Sequence, residues 1–203
     1  MKCSYSPETI ERVIEFHGHS CPGLMVGIRA AELAQSKLGP AEDADLVSVV
    51  ETDMCGVDAI QFLLSTTFGK GNLIHRDYGK MAFSFFNRKT GEGFRAVLNP
   101  KTQDSVYPEL RTLMKKIIDG TATQEEKARA DQLRADMQKL YMNESLETMF
   151  NVEPLKAGAP RKARILDSLR CDACGEMTME SRTRRFDGKT LCIPCFEKVE
   201  QKI

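Results

Sequence analysis

Apolar side chains recur at helical spacing in the first forty residues, on either side of a short polar stretch. Residues 10–14 carry the first series, after Ser6-Pro7-Glu8, whose hydroxyl, proline and acid favour a helix start. We expect a helix over 7–17. The second series, within 24–31, includes small side chains and predicts a buried, closely approached helix that ends at Gly39-Pro40.

Strand-like segments follow these two helices. The β-branched residues of 46–51 predict a strand that leads into a further helix after Cys55. Other strands are expected at 73–76, 81–88 and 94–98. Turn residues at 90–93 join the last two as a hairpin. Because the elements show no regular βαβ alternation, we expect an α+β fold.

Two long helices are predicted next. The first starts at Tyr107 and stops at Gly120. The second begins with the capping box Thr123-Gln124-Glu125-Glu126 and reaches about residue 142. It carries a narrow apolar stripe at Ala130, Leu133, Met137 and Leu140. Such a stripe more often faces the core of its own domain, but a second copy of the chain is the alternative partner.

A change in composition divides the chain near its C-terminal quarter. Residues 151–164 contain prolines, a glycine and several basic side chains, and they are predicted to form a linker. We therefore expect an α+β domain over 1–155, which includes the long helices, and a small cysteine-containing domain over 165–203.

The overall composition is that of an ordinary globular protein. Hydrophobic residues make up 41% of the 203, and 29 basic side chains balance 29 acidic ones, so the net charge favours no nucleic-acid partner. No apolar run approaches membrane-spanning length, and the first residues lack the apolar core of a signal peptide. We expect a cytoplasmic protein without a membrane partner, in which seven cysteines serve metal ligation rather than disulfides.

The stretch Phe16–Gly23 places His17, His19 and Cys21 between two predicted helices. In an extended run these alternate side chains point the same way, which suits a soft transition metal. Because Pro22 favours a helix start, Cys21 would lie at the positive end of the helix dipole, where the pKa of a thiol is lowered. Singly, His17 fits an apolar helix face and Cys21 an ordinary buried thiol. Together the three predict a site.

A second stretch repeats this arrangement where the 46–51 strand runs out through Asp53 and Cys55. Asp53 is either a helix cap or, beside a metal, a carboxylate that orients a histidine ligand or accepts a proton. We expect Cys21, Cys55 and at least one histidine to hold a metal with an open position, and Cys21, Cys55 and Asp53 are the catalytic candidates. The alternatives are a buried site without metal and a reversible Cys21–Cys55 disulfide.

Four further cysteines form two Cys-x-x-Cys pairs, Cys171/Cys174 and Cys192/Cys195, with the seventeen-residue separation typical of tetrahedral zinc. Between them, strands expected over 179–186 and 189–191 flank Asp187-Gly188, a hairpin turn signal, and a helix is expected from about 194. This order indicates a treble-clef-like finger that needs zinc to fold. Its three hairpin arginines, Arg182, Arg184 and Arg185, could touch nucleic acid but more often form a solvated face.

Three motifs resemble the FmdE family of formylmethanofuran dehydrogenase subunits: Phe-His-Gly-His-Ser-Cys-Pro-Gly-Leu at 16–24, Cys-Gly-Val-Asp-Ala-Ile-Gln at 55–61, and Phe-Gly-Lys-Gly-Asn-Leu at 68–73. The resemblance covers about residues 5–150. It implies an α+β domain that tends to dimerise and is sometimes followed by a four-cysteine zinc finger. It also implies an association, largely through gene context, with the molybdenum or tungsten enzyme that reduces carbon dioxide onto methanofuran.

The resemblance carries over a set of site positions: His17, His19, Cys21, Asp53, Cys55, Asp58, Lys70 and Asn72. Lys70 and Asn72 are the cofactor-binding candidates, since a Gly-Lys-Gly loop can hold an anionic group; an ordinary glycine turn is the alternative. One departure is visible, because Ser65-Thr66-Thr67 stands where the family pattern has Gly-Cys-Thr. A thiol of the family is therefore absent from this chain.

Two functions are consistent with these residues. The first is a metal-binding accessory or redox protein of one-carbon or molybdenum metabolism, working beside molybdenum or tungsten enzyme subunits. The second is a ligand- or metal-sensing regulator whose finger contacts nucleic acid or RNA polymerase, because the finger resembles those of small bacterial RNA-polymerase-binding regulators.

Overall fold

The computed structural model describes residues 2–39, 45–104, 106–156 and 158–199. The chain separates into two compact units, Met1–Lys162 and Ala163–Ile203. The predicted helix end at Pro40 and the outermost residues of both predicted domains lie outside the described residues.

The first unit contains six helices and five strands in its described part. The helices are α1 Pro7–His17, α2 Pro22–Leu38, α3 Gly56–Leu64, α4 Tyr107–Ile118, α5 Gln124–Asn143 and α6 Leu146–Met149. The strands are β1 Leu46–Val50, β2 Leu73–His75, β3 Ala82–Asn87, β4 Gly93–Leu98 and β5 Phe150–Pro154. A short 3-10 helix covers Pro100–Gln103.

The five strands form one mixed sheet in the order β2-β1-β3-β4-β5. β1 and β2 are parallel, with Ser48 opposite Leu73, and the other neighbours are antiparallel. Alternate side chains of the central strands, such as Phe83 and Phe85, are buried in the core that the helices share. Helices grouped against a largely antiparallel sheet confirm the predicted α+β class.

The ends of α1 follow the local sequence. Ser6 caps the helix by accepting a hydrogen bond from the Thr9 backbone N–H at 3.2 Å. At the other end Gly18 adopts a left-handed conformation with φ of 93°, and its N–H donates to the Ile14 carbonyl oxygen. The helix therefore stops at His17, the first residue of the polar stretch.

The apolar stripe of α5 packs inside its own domain. Ala130, Leu133 and Met137 are buried, with Leu133 only 4% exposed, and they join the core cluster that also contains α2. The capping box at the start of α5 forms as predicted, since Thr123 and Glu126 exchange side-chain-to-backbone bonds. These three members of the stripe are thus covered without a second copy of the chain, whereas the fourth, Leu140, is half-buried and lies outside the core cluster.

The predicted linker over 151–164 is wrong in its first part. Phe150–Pro154 form β5, the edge strand that pairs with β4, and Phe150 and Val152 alternate toward the core. Pro154 is tolerated because it ends an edge strand. Beyond it, Leu155 and Ala159 pack on the outer face of the sheet, and the Arg88 guanidinium donates to the Pro160 carbonyl oxygen at 3.1 Å.

The second unit is built from two small hairpins and a short helix. Its elements are β6 Ser168–Arg170, β7 Met177–Met179, β8 Thr183–Phe186, β9 Lys189–Cys192 and α7 Ile193–Phe196. Asp187 and Gly188, with φ of 46° and 73°, form the predicted turn between β8 and β9. A single strand expected from Met179 to Phe186 is instead interrupted by a 3-10 turn over Glu180–Arg182.

No helix in the described part of the chain combines the length and the apolar character that crossing a bilayer requires.

Candidate metal centre

The N-termini of α2 and α3 meet because glycines line their contact. A Cβ atom placed on Gly27 of α2 would lie 2.1 Å from the carbonyl oxygen of Gly56 in α3, so the two backbones touch directly. Cys21 is the N-cap residue of α2, and Cys55 is the N-cap residue of α3. The glycine contact therefore brings the two cysteines to one place.

Four potential ligand atoms converge there, one each from His17, His19, Cys21 and Cys55, all within 4.8 Å of one another. The sequence suggested that an extended run would bring these side chains together, but the structure achieves their convergence in another way. His17 instead ends α1, the left-handed Gly18 turns the chain, and Cys21 has extended backbone angles as the N-cap of α2. Cys21 and Cys55 are free thiols in this arrangement, rather than a disulfide.

His17 is held by a carboxylate from α3. Its Nδ1 lies 2.6 Å from Oδ2 of Asp58, and its side chain is only 10% exposed. Because a carboxylate only accepts, Nδ1 carries the proton, and in the neutral imidazole Nε2 then keeps a lone pair. Nε2 is buried and has no hydrogen-bond partner. A buried imidazole nitrogen left unpaired in this way is the atom that a metal would use.

Asp58 takes the role that the sequence interpretation gave to Asp53. Asp58 lies one turn after Cys55 on α3, so both side chains share one helix face. Asp53 is exposed in the loop before the helix and is not part of the His/Cys cluster. Asp58 was among the positions that the family resemblance carried over, but no local pattern in the sequence marked it as the partner of His17.

The two helix-start cysteines differ in their surroundings. The Cys21 Sγ accepts a hydrogen bond from the Leu24 backbone N–H at 3.4 Å, as a capping side chain does. Cys55 has helical backbone angles and makes no capping bond with its side chain. Burial, reinforced by the neighbouring Cys21 thiol, raises the pKa of Cys55. Burial therefore outweighs the lowering of a thiol pKa that a helix N-terminus would give to Cys55.

The loop with Lys70 and Asn72 lies at the opposite end of β1 from the cluster. The buried Asn72 side chain donates to the Leu46 carbonyl oxygen at 3.2 Å and accepts from the Thr67 N–H at 2.9 Å. Leu46 begins β1, whereas Cys55 follows its other end. The structure thus does not bring Lys70 and Asn72 to the histidines and cysteines, and it gives Asn72 a part in fixing the turn.

The position of the missing family cysteine also lies away from the cluster. Thr66 is fully buried, and its hydroxyl donates to the Ser48 hydroxyl at 2.8 Å. It follows the C-terminal end of α3, whereas Cys55 caps the N-terminal end, and nine helical residues span roughly 13 Å. The hydrogen bond between Thr66 and Ser48 satisfies both hydroxyl groups. The absence of a cysteine at position 66 therefore does not affect the four-residue cluster.

The second unit contains a separate cluster of four cysteines. One ligand atom from each of Cys171, Cys174, Cys192 and Cys195 lies within 4.8 Å of the others. Backbone N–H groups, chiefly those of Cys174 and Cys192, lower the pKa of Cys171 to about 6, which favours the thiolate that zinc binds. A hydrogen bond links the first Cys-x-x-Cys segment to β9, because the Asp172 carboxylate accepts from the Thr190 N–H at 2.6 Å.

Two family models match the chain, one in each of its two units. The family model described as "FmdE, Molybdenum formylmethanofuran dehydrogenase operon" matches residues 16–151. The chain belongs to the FmdE family. A second model, the prokaryotic dksA/traR C4-type zinc finger, matches residues 164–201 of this FmdE-family chain, and the four cysteines there are consistent with a zinc site.

Two known proteins are similar to this chain over most of its length. A probable S-adenosyl-L-methionine-binding protein of Archaeoglobus fulgidus is 33% identical over 191 residues, covering 91% of this FmdE-family chain and 51% of the relative. The chain thus spans about half the length of that curated relative. The crystal structure of a tungsten formylmethanofuran dehydrogenase FmdE-like protein from Syntrophus aciditrophicus is 25% identical, with a TM-score of 0.62 over 95% of this chain and 93% of the other.

Proposed function

We propose that this FmdE-family protein holds a transition metal between His17, His19, Cys21 and Cys55 and serves as a metal-binding accessory or redox protein. The proposal rests on the environment of His17. Its Nδ1 is held by Asp58, and its buried Nε2 has no hydrogen-bond partner. The same imidazole belongs to the group of four side chains whose ligand atoms lie close together. Burying an unpaired polar atom costs free energy, and coordination of a metal removes that cost.

The donor set fits a soft divalent ion such as zinc. Two thiolates and one or two imidazoles are the ligands that zinc and its neighbours in the first transition row prefer. When bound, the metal would supply Lewis-acid chemistry. Asp58 would orient His17 and fix its tautomer, and the Leu24 N–H would stabilise the Cys21 thiolate.

The C-terminal cysteines support a different role for a second zinc. Four thiolates close the coordination sphere, so the metal there is structural and stabilises a unit whose own core is small. In the described residues that core comprises Cys171, Leu191 and Cys192, with Phe196 and Val199 among the side chains packed against it. A metal that completes so few contacts contributes directly to folding.

Metal analysis of the full-length protein tests the proposal. Zinc-loaded protein under reducing conditions should contain two zinc ions per chain, one for each cluster. A Cys21→Ser/Cys55→Ser variant should keep one, and its fold should survive because serine is a good helix N-cap. Cys174→Ser should also keep one. A wild-type protein that binds a single zinc, lost only from Cys174→Ser, would contradict the N-terminal site.

The wider setting is proposed from the family. The FmdE model and the FmdE-like structural neighbour support a place beside the subunits of a molybdenum or tungsten enzyme in one-carbon metabolism. Retention of purified dehydrogenase subunits on the immobilised full chain tests this. The name of the archaeal relative makes S-adenosyl-L-methionine the first small molecule to assay by equilibrium dialysis.

A regulator remains the second candidate, favoured by the dksA/traR-type finger and by three exposed hairpin arginines, Arg182, Arg184 and Arg185. If the finger contacts nucleic acid through them, retention on heparin should fall steeply with salt and should be weakened by replacing all three with alanine. If the wild-type protein and the triple-alanine variant are retained equally weakly, the regulator is contradicted and the accessory role stands.

A further inference from the structure

The four residues of the N-terminal cluster are not held equally. Asp58 holds His17 through a hydrogen bond, and the Leu24 N–H holds Cys21. Cys55 packs beside Gly23, where an added Cβ atom would lie 3.5 Å from the Cys55 Cβ. Each of these three is part of a helix or caps one. Their positions are therefore set by the fold.

His19 differs from the other three. It is exposed, it lies in the loop after the left-handed Gly18, and its imidazole makes no hydrogen bond within the described part of the chain. Its ring lies beside the His17 ring, with centroids 4.4 Å apart. A ligand without a hydrogen bond to orient it is bound less firmly than one that has such a partner.

We propose that His19 is an exchangeable ligand: three fixed residues hold the metal, and His19 occupies the fourth position until an external thiol replaces it. The inference rests on the proposed function, because it requires a metal in this cluster. Three protein ligands with a replaceable fourth are the pattern of a working metal site, whereas four fixed ligands are that of a structural one.

The ligand class follows from the donors and their charges. A divalent ion with two thiolates and a neutral imidazole is soft and has no net charge, so a further sulfur is a matching ligand. Both α2 and α3 begin at the cluster, and their N-terminal dipoles favour the negative charge that a third thiolate adds.

The exchange involves no oxidation. His17, Cys21 and Cys55 would hold the metal throughout, and the sulfur of the external thiol would take the position that His19 leaves. The thiol proton would pass to water, and the metal would keep its oxidation state. The chemistry that the metal would supply is stabilisation of the thiolate form of the external thiol.

Cobalt substitution of the full-length protein tests this inference. Cobalt in the finger is a constant background, recorded from the Cys21→Ser/Cys55→Ser variant. Adding 2-mercaptoethanol to wild-type protein should increase thiolate-to-cobalt charge-transfer absorption without loss of cobalt, and ethanol, the matched hydroxyl compound, should have no effect. His19→Ala should retain both metals, with affinity at the N-terminal cluster lowered less than about tenfold, and should respond to less thiol than wild type.

His17→Ala is the matched comparison and should lose the N-terminal metal. If His19→Ala loses it equally, or if the thiol leaves the wild-type spectrum unchanged or strips the cobalt, the inference is overturned while the metal site stands. A wild-type protein that binds cobalt only in the finger would overturn the proposed function itself, and the exchange with it.

Discussion

A Cβ atom at Gly27 would lie 2.1 Å from the carbonyl oxygen of Gly56, far inside van der Waals contact. The two glycines set the separation of α2 and α3 a few residues from the cysteines that cap those helices. No rotamer relieves a clash with backbone, so even one methyl group must push the helices apart. The geometry of the metal centre therefore depends on residues that carry no functional group.

Gly27→Ala should separate Cys21 from Cys55. We expect a loss of about 1–3 kcal/mol in the free energy of unfolding and loss of the N-terminal metal, with finger zinc retained. Gly23→Ala on the same helix is the control, because a Cβ there meets the Cys55 Cβ at an ordinary 3.5 Å. Urea unfolding and zinc content of both variants decide. A Gly27→Ala protein with wild-type stability and two zinc ions would show that the helices are not in backbone contact.

Asp58→Asn should weaken the N-terminal metal without unfolding the protein. The amide keeps a hydrogen-bond acceptor for His17 Nδ1 but removes the negative charge that raises the basicity of the imidazole. Affinity for zinc, measured by competition with a chromophoric chelator, should fall about 10–100-fold. Asp53→Asn is the matched change at an exposed carboxylate outside the cluster, and it should leave the affinity unchanged. Equal effects of the two variants would refute the assignment of Asp58.

Local patterns in the sequence were sufficient for much of this site. Helix ends at His17, Cys21 and Cys55 follow from proline, glycine and capping residues nearby, and the spacing of the finger cysteines needs no tertiary information. The partner of His17 was not predictable in this way. Asp58 lies 41 residues along the chain, and only the packing of α1 on α3 brings it within 2.6 Å.

The edge strand β5 shows a second kind of failure. Phe150 and Val152 alternate with polar residues, which is a strand pattern, but the prolines and glycine that follow it favoured a linker. The strand forms because β4 offers a free edge, with Phe94 opposite Pro154 and Leu98 opposite Phe150. A sheet edge made of residues fifty positions away is a property of the tertiary fold, and local propensity carries no information about it.

The ion pair between the buried Glu51 and the half-buried Arg95 should make stability depend on pH. Arg95 donates two hydrogen bonds to the Glu51 carboxylate, at 2.6 and 2.8 Å, and this pairing lowers the pKa of Glu51. A lowered folded pKa means stabilisation that is complete above the unfolded value of about 4.3 and is lost as the pH falls from there through the folded value. Glu51→Gln should cost about 1–3 kcal/mol near neutral pH and progressively less in acid.

Urea midpoints of wild type and Glu51→Gln, measured from about pH 7 down through the carboxylate range, give this difference directly. Glu109→Gln is the control, because the same bidentate geometry to Arg129 occurs there with both side chains half exposed. Solvent screens that pair, so little change in stability is expected at any pH. A difference for Glu51→Gln that stays constant with pH would contradict the assigned pairing.

Cys174→Ser should release the finger zinc and unfold the second unit alone. Three thiolates hold zinc less firmly, and the small core around Leu191 cannot stay folded without the metal. Limited proteolysis of the full-length variant should cut between residues 165 and 199 and leave the first unit resistant. Met177→Ala, at an exposed side chain of the same unit, should keep both zinc and resistance. A protease-resistant second unit in the zinc-free variant would disprove the structural role.

The apolar stripe of α5 and the predicted homodimer can be tested together. Light scattering of the full chain should report twice the 22.8 kDa chain mass if the dimer implied by the family forms. Leu133 is 4% exposed within a single chain, so Leu133→Ala should lower the free energy of unfolding by about 2–5 kcal/mol through a core cavity. Because the stripe already packs in its own domain, the folded variant should keep the wild-type mass. Dissociation of the variant to monomers with an intact fold would instead place the stripe at the interface between copies.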